Sequence, residues 1–416
     1  MVEKIYLYIH VIALVVLGIA TMITGETYGG ATDVHFSAIT IGVLFLVYLY
    51  TYFIMYMFYR KTKDNLPSIK HFPKITVDKN RLHIFYFISL LISFIGVTIF
   101  KIGIVDNIQP DIKFSFLFNL IKFNEFFPIY YIAARDEKKP IYWLNIIFYM
   151  IIRTLQGWSG WIIMIFFMEL LFILKKDNFL VKTIKKLKSF ILSIGAILGG
   201  TMVYYLFIPL RESIRHGGSY QWFKMSFFDA IVRLVERLSN FPVFTSAWQN
   251  IEDIIRCYQS QNIFLSEFRT IFAPLLPSFI MKNKEMRSMG NLVQQAMWPT
   301  LTNGTSTGMG FSAYWYSLFR CSFWDFIFTL AIFIIGFYIS CSLLKAFNNE
   351  DNDMRILYFM LLMQIASGST VAHMVGYGYP AALYLIFFMI LFGVIKLEFD
   401  EVIKSKFKFI KRRTNK

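Results

Sequence analysis

Arginine and histidine gather where apolar runs of this chain end, and that pairing suits an anionic ligand. Arg211, Glu212, Arg215 and His216 stand together in RESIRH, directly after an apolar run that closes near residue 210. Arg153 lies in the polar interval RTLQGWSG between two short apolar runs, and His373 closes another run in VAHMVGYGYP. Guanidinium groups grip phosphate oxygens bidentately, so a cluster of them at the headgroup plane suits a polyprenyl or phospholipid phosphate. An imidazole titrates near neutrality, which makes His373 a candidate general base. Each residue also has a plainer reading. A boundary Arg anchors a helix end by snorkelling, and a lone His caps or packs. Arg153 stands apart, because a turn on the side poor in basic residues gains nothing from positive charge.

A second group lies inside an apolar run. Lys122 and Glu125 interrupt FLFNLIKFNEFFPIYYI. Charges at that depth cost several kcal/mol, so they face protein or water. Their i,i+3 spacing allows a mutual ion pair. A pair turned towards substrate, on a helix bent by Pro128, is the alternative.

Other chemistries lack their signatures. There is no Walker A or dinucleotide-binding glycine pattern, and no clustered His/Cys ligand set for a metal. No cofactor is expected. Cys257, Cys321 and Cys341 are too scattered for a disulfide framework, although a Cys257–Cys321 bridge outside the cytoplasm is not forbidden by their positions.

The elements that must position these groups follow from composition. The chain is 56% hydrophobic and only 16% charged, with 46 Phe and 24 Tyr. Such a chain presents its apolar excess to lipid. The net charge of +16 does not point to nucleic acid, because most Lys and Arg sit in short loops between apolar runs. Runs at 4–22, 36–59, 83–105, 114–134, 141–156, 158–174, 189–210, 323–346, 354–374 and 377–397 predict an all-α bundle of about ten transmembrane helices. The fifth and sixth form a tight hairpin around Arg153–Gly160. Segments 60–82, 135–139, 175–188 and the tail 401–416 are basic and alternate with poor ones. The positive-inside rule then puts both termini in the cytoplasm. The organisation is helices one to seven in 1–210, a long extracytoplasmic loop in 211–322, helices eight to ten in 323–400, and a basic tail.

The long loop opens with an amphipathic helix, WFKMSFFDAIVRLVERLSNF at 222–241. Phe227, Phe228, Ile231, Leu234, Val235 and Leu238 share one face, and Asp229, Arg233, Glu236 and Arg237 the other. Such a helix lies on the membrane interface or over the bundle. Its charges either pair along the helix, as Asp229 with Arg233, or offer Arg233 and Arg237 to an anion. Residues 263–281, broken by Pro274 and Pro277, suit a re-entrant or interfacial segment.

The helix count, the dominant late loop and its closing passage TGMGFSAYWY at 307–316 together resemble the O-antigen polymerases, the Wzy-type enzymes that join oligosaccharide repeat units. Gly308, Gly310, Ser312 and Tyr316 match that family's glycine-containing passage; this chain lacks the acidic residue that many members carry there. The resemblance implies a GT-C-like helical fold and a metal-independent glycosyltransferase of the bacterial inner membrane, acting on its periplasmic side. It would join repeat units carried on undecaprenyl pyrophosphate. Arg153, Arg211, Arg215, Arg233 and Arg237 would hold pyrophosphate, and His216, His373 or Glu212 would assist the acceptor hydroxyl. Trp222, Tyr314 and Trp315 would stack on sugars. The implied partners are the lipid-linked oligosaccharides, membrane lipids and a chain-length-determining co-polymerase, with no nucleic acid. An O-antigen ligase and a lipid-linked oligosaccharide flippase are the rival readings. A long outer loop and the lack of an internal repeat speak against the flippase.

Overall fold

The computed structural model describes residues 1–24, 37–104, 126–136, 138–158, 160–175, 189–216, 226–272, 287–297, 308–348, 353–368 and 386–398. It is a helical membrane protein. Five described helices are long and apolar enough to cross a bilayer: α1 (Val2–Thr24), α2 (Ala38–Thr62), α3 (Lys79–Thr98), the long helix over Ser189–His216, and the one over Phe323–Phe347. Three shorter apolar helices, Pro140–Leu155, Gly160–Lys175 and Arg355–Ser367, fall below that length. In chain order the remaining elements are β1 (Lys74–Val77), α4 (Phe127–Ala133), α5 (Pro140–Leu155), α6 (Gly160–Lys175) and α7 (Ser189–His216). Then follow α8 (Phe227–Leu238), α9 (Phe241–Gln249), α10 (Ile251–Ser260), α11 (Ser266–Phe272), α12 (Met289–Met297), α13 (Phe311–Cys321), α14 (Phe323–Phe347), α15 (Arg355–Ser367) and β2 (Ile395–Glu398).

The turn between the two short helices is present. Helix α5 ends at Leu155, and Gly157 takes φ of 77°, the left-handed conformation that glycine adopts at no steric cost. Trp158 N–H then reaches the Arg153 carbonyl at 2.9 Å and Gly157 N–H that of Thr154 at 2.9 Å. The expected helix over 377–397 needs correction, because its end is a strand. Ile395-Lys-Leu-Glu alternates apolar and polar residues, as does Lys74-Ile-Thr-Val, and the two pair antiparallel with Ile75 opposite Leu397. Gly393, at φ 65°, separates strand from helix.

The two ends of the bundle differ. One gathers segments from the basic loops. There β1 pairs with β2, Arg81 donates to the Gly393 carbonyl at 3.3 Å, Lys345 donates to Asn65 and Ser68 at 3.1 Å, and Arg355 lies 3.6 Å from Asp64. Arg135 is neutralised there by Glu169 at 2.7 Å, with its guanidinium 3.8 Å from the Phe172 ring centroid. At the other end, helices α8 to α13 fill the space that the long loop spans in sequence. Packing in between is largely aromatic: Phe127 and Tyr149 stack at 3.6 Å, Tyr86 and Tyr130 at 3.9 Å.

Candidate functional site

The amphipathic helix packs over the bundle. Ser226 caps it in a reciprocal capping box with Asp229, whose carboxyl is thereby held below its usual range. Asp229 is thus committed to the cap, and Arg233 on the next turn is exposed. Ala230, Leu234, Val235 and Leu238 are buried, and the helix packs against α1 and α7. Phe227 and Phe228 at its outer end stay exposed. Its inner end reaches the interior: the Leu238 carbonyl accepts from His10 Nδ1 at 2.6 Å. His10 stands 14 residues from the C-terminal end of α1 at Thr24, about 21 Å at 1.5 Å per residue.

At that depth the chain breaks. Ser239 and Asn240 separate α8 from α9, which has Pro242 near its start. Helix α15 also stops there, and its Ser367 carbonyl accepts from Tyr48 Oη at 2.8 Å. The glycine passage closes the junction. A Cβ on Gly308 would stand 2.8 Å from the Gly368 oxygen and 3.1 Å from Asn240 Nδ2; on Gly310 it would stand 2.5 Å from Tyr48 Oη. These glycines are there because backbone meets backbone. Ser312, the next matching residue, hydrogen-bonds Thr51 at 2.9 Å.

Irregular backbone inside an apolar bundle is tolerated only where protein buries it or a cavity needs it. Here it is lined by polar groups. Tyr52 Oη lies close to Ser239 and Ser367, and among the described residues neither Tyr52 Oη nor Ser239 Oγ has a well-aligned hydrogen-bond partner. The His10 and Tyr52 rings lie 6.0 Å apart. Helices α9 and α13 both start at this level without a side-chain cap, so their first N–H groups point positive ends into it. The junction is a set of donors gathered between α1, α2, α9, α13 and α15.

The expected phosphate-binding residues fall in three groups. Arg153 sits in the last turn of α5, half-buried, with its guanidinium 5.1 Å from the Trp158 ring and 5.9 Å from Tyr149. It donates to Gln156 Oε1 at 3.1 Å, its Nε is buried without a partner, and no carboxylate among the described residues pairs with it. Arg211, Glu212, Arg215 and His216 are not loop residues, since α7 continues through them. At helical spacing Arg211 and Arg215 share one face, and Glu212 and His216 the next. Pro209 has no N–H, so the Tyr205 carbonyl lacks its i+4 donor just before this turn. Arg237 lies on α8. Lys122, Glu125, Trp222 and His373 lie outside the described residues, as does the second half of 263–281.

Two aromatic expectations are corrected. Tyr314 is buried and donates to Glu267 at 2.8 Å, and Trp315 is enclosed by Phe311, Phe326 and Phe333. Neither offers a face to a sugar. Tyr316, half-buried, instead stacks on Trp248 at 4.6 Å.

Sequence reading also missed two buried carboxylates. Asp325 accepts from Tyr258 Oη at 2.6 Å and from Glu267 and Phe268 N–H at 2.8 and 2.9 Å. Glu267 accepts from Met289 N–H at 2.6 Å and from Tyr314. Burial pushes the Glu267 carboxyl up to about 7. A value near neutrality fits a general acid or base, but Glu267 is enclosed, and its contacts tie α11, α12 and α13 together. Its ordinary neighbours in FLSEFRT gave no sign of this. Among the described residues no three His, Cys, Asp or Glu are grouped to hold a metal ion, and Cys257 and Cys321 are free thiols.

No family model, curated protein or solved structure matches this chain.

Proposed function

We propose that this protein is a membrane glycosyltransferase that joins lipid-linked oligosaccharide repeat units, an O-antigen-polymerase type of activity, at the face away from its basic loops. The observation that carries this reading is Arg153. A half-buried guanidinium packed against aromatic rings, with no carboxylate partner among the described residues, suits an anion. In this reading a bundle of about ten helices has both termini in the cytoplasm, in a bacterial inner membrane. Arg153, with Arg211 and Arg215 on one face of α7, neutralises a polyprenyl pyrophosphate. The acceptor hydroxyl attacks the anomeric carbon, the bond from that carbon to the pyrophosphate oxygen breaks, and the pyrophosphate leaves with its charge already balanced. A base takes the hydroxyl proton; Glu212, His216 and His373 are the candidates.

A single experiment tests this: alanine at Arg153, Arg211 and Arg215, with surface glycan resolved by length. The expected result is protein retained in the membrane, long ladders lost, and one repeat unit per acceptor remaining. Normal ladders from all three variants would overturn it. Loss of all surface glycan would indicate a ligase.

A transporter is the second reading, and one observation favours it. Helices α8 and α15 end, and α9 begins, inside the bundle around buried polar groups, as discontinuous helices do in substrate-carrying membrane proteins. A transporter variant would accumulate single lipid-linked units on the cytoplasmic face, where the polymerase variant would display them outside.

A further inference from the structure

A ledge of side chains on the loop helices has chemistry of its own. Trp248 on α9 and Tyr316 on α13 stack with ring centroids 4.6 Å apart and planes 20° apart. Every other residue of α9 from Phe241 to Ala247 is buried, yet Trp248 is 40% exposed. At the edge of the stack Arg320 donates to Tyr316 Oη at 3.4 Å and to Glu252 Oε1 at 3.0 Å. Glu252 belongs to α10, so three packed helices hold the ledge rigid. Two features argue against a purely structural role. An ion pair this exposed contributes little to stability. A stacked pair with a carboxylate and a guanidinium at its rim combines an apolar face with a fork of donors and acceptors.

That combination matches a pyranose ring, whose C–H face packs on an indole while neighbouring hydroxyls bridge a carboxylate and a guanidinium. We propose that Trp248, Tyr316, Glu252 and Arg320 form a carbohydrate-binding subsite that holds one sugar of a neutral or N-acetylated glycan. That this glycan is the lipid-linked substrate rests on the function proposed above; the subsite itself does not. Trp248 supplies the platform, Tyr316 fixes the indole plane from beneath, and the Glu252–Arg320 pair orients the hydroxyls.

The test uses the full chain in lipid nanodiscs and, as probe, an array of soluble neutral and N-acetylated oligosaccharides. Wild type should bind at least one member, Trp248→Ala should weaken that binding about tenfold, and Glu252→Gln by a similar factor. Trp248→Phe keeps the stack and should retain most of the binding, which separates ring loss from misfolding. A wild type that binds no oligosaccharide, or a Trp248→Ala variant that binds as tightly, would overturn the subsite. Trp248-dependent sugar binding in a protein that makes no ladders would keep the subsite and remove the polymerase reading. Ladder formation indifferent to Trp248→Ala, without sugar binding, would do the reverse.

Discussion

His10 and Leu238 are 228 positions apart in sequence and joined by one 2.6 Å hydrogen bond. The carbonyl can only accept, so Nδ1 carries the proton and the tautomer is fixed. The bond fastens the inner end of α8 to the middle of the first helix. Of the two places that amphipathicity allows, the membrane interface and the bundle, the segment takes the second, packed against α1 and α7.

Removing that donor leaves the Leu238 carbonyl buried without its partner, at a cost of about 1–3 kcal/mol. His10→Ala should therefore loosen the segment 226–249 before it affects the rest of the bundle. Hydrogen exchange should show faster exchange in α8 and α9 with α3 and α5 unchanged. His10→Asn, whose Nδ2 can stand where Nδ1 does, should recover most of the protection. Equal exchange in all three proteins would show that α8 is held by its apolar face alone.

Gly308 and Gly310 invite a sharper substitution. A methyl group on Gly310 would meet Tyr48 Oη and, at 2.9 Å, the Ala366 oxygen; on Gly308 it would meet the Gly368 oxygen at 2.8 Å. Backbone cannot yield as a side-chain tip can, and overpacking of this kind costs about 1–3 kcal/mol. Gly308→Ala and Gly310→Ala should both lower the thermal midpoint. Gly310→Ala should in addition free the Tyr48 hydroxyl from Ser367, which Tyr48→Phe would reproduce without the clash. A Gly310→Ala variant as stable as wild type would sink this account of the passage.

Much of this was legible in the sequence, for a definite reason. Long apolar runs declare themselves by length, and the Arg153–Gly160 turn by its glycines. The pairing of β1 with β2 was equally visible in the alternation of Ile75, Val77, Ile395 and Leu397, but it was hidden under the tail of an apolar run. The interior junction was not visible. Tyr48, Tyr52, Ser239 and Ser367 are ordinary residues for helices and helix ends, and only tertiary placement sets them beside His10. Tyr314 and Trp315 misled because an aromatic pair in a loop has no sequence mark that says whether it faces water or Glu267.

Arg153 predicts a distinction between charge and shape. Lys keeps the charge but loses the planar fork and its packing against Trp158. Under the proposed function, Arg153→Lys should reduce ladder formation by about tenfold or more, the size of one lost charge-assisted hydrogen bond. Trp158→Ala, which leaves the guanidinium but removes its platform, should have a smaller effect in the same direction. Full activity in Arg153→Lys would mean that only the charge matters, as expected of a membrane anchor.

Glu267 gives the protein a pH dependence whose sign is unusual. Its carboxyl is held at about 7 against an ordinary 4.5, chiefly by burial and with Asp325 adding repulsion. The groups facing it are Asp325, the Tyr314 hydroxyl and the Cys321 thiol. Both tyrosine and thiol are pushed upward, Cys321 to about 12, and stay protonated. Below about pH 4.5 the folded and unfolded chains both hold the Glu267 proton, and the group is neutral towards stability. Between there and about 7 the folded chain keeps a proton that the unfolded chain has released, so stability falls as pH rises. Above 7 the penalty is constant, on the order of 3–4 kcal/mol for a shift of this size. Glu267→Gln carries no charge and keeps an acceptor for Tyr314, but its amide NH2 faces the Met289 N–H, a cost that does not change with pH. Its thermal midpoint relative to that of wild type should thus rise from pH 5 to pH 8. Parallel curves across that interval would show that Glu267 ionises as freely in the folded protein as in the unfolded chain.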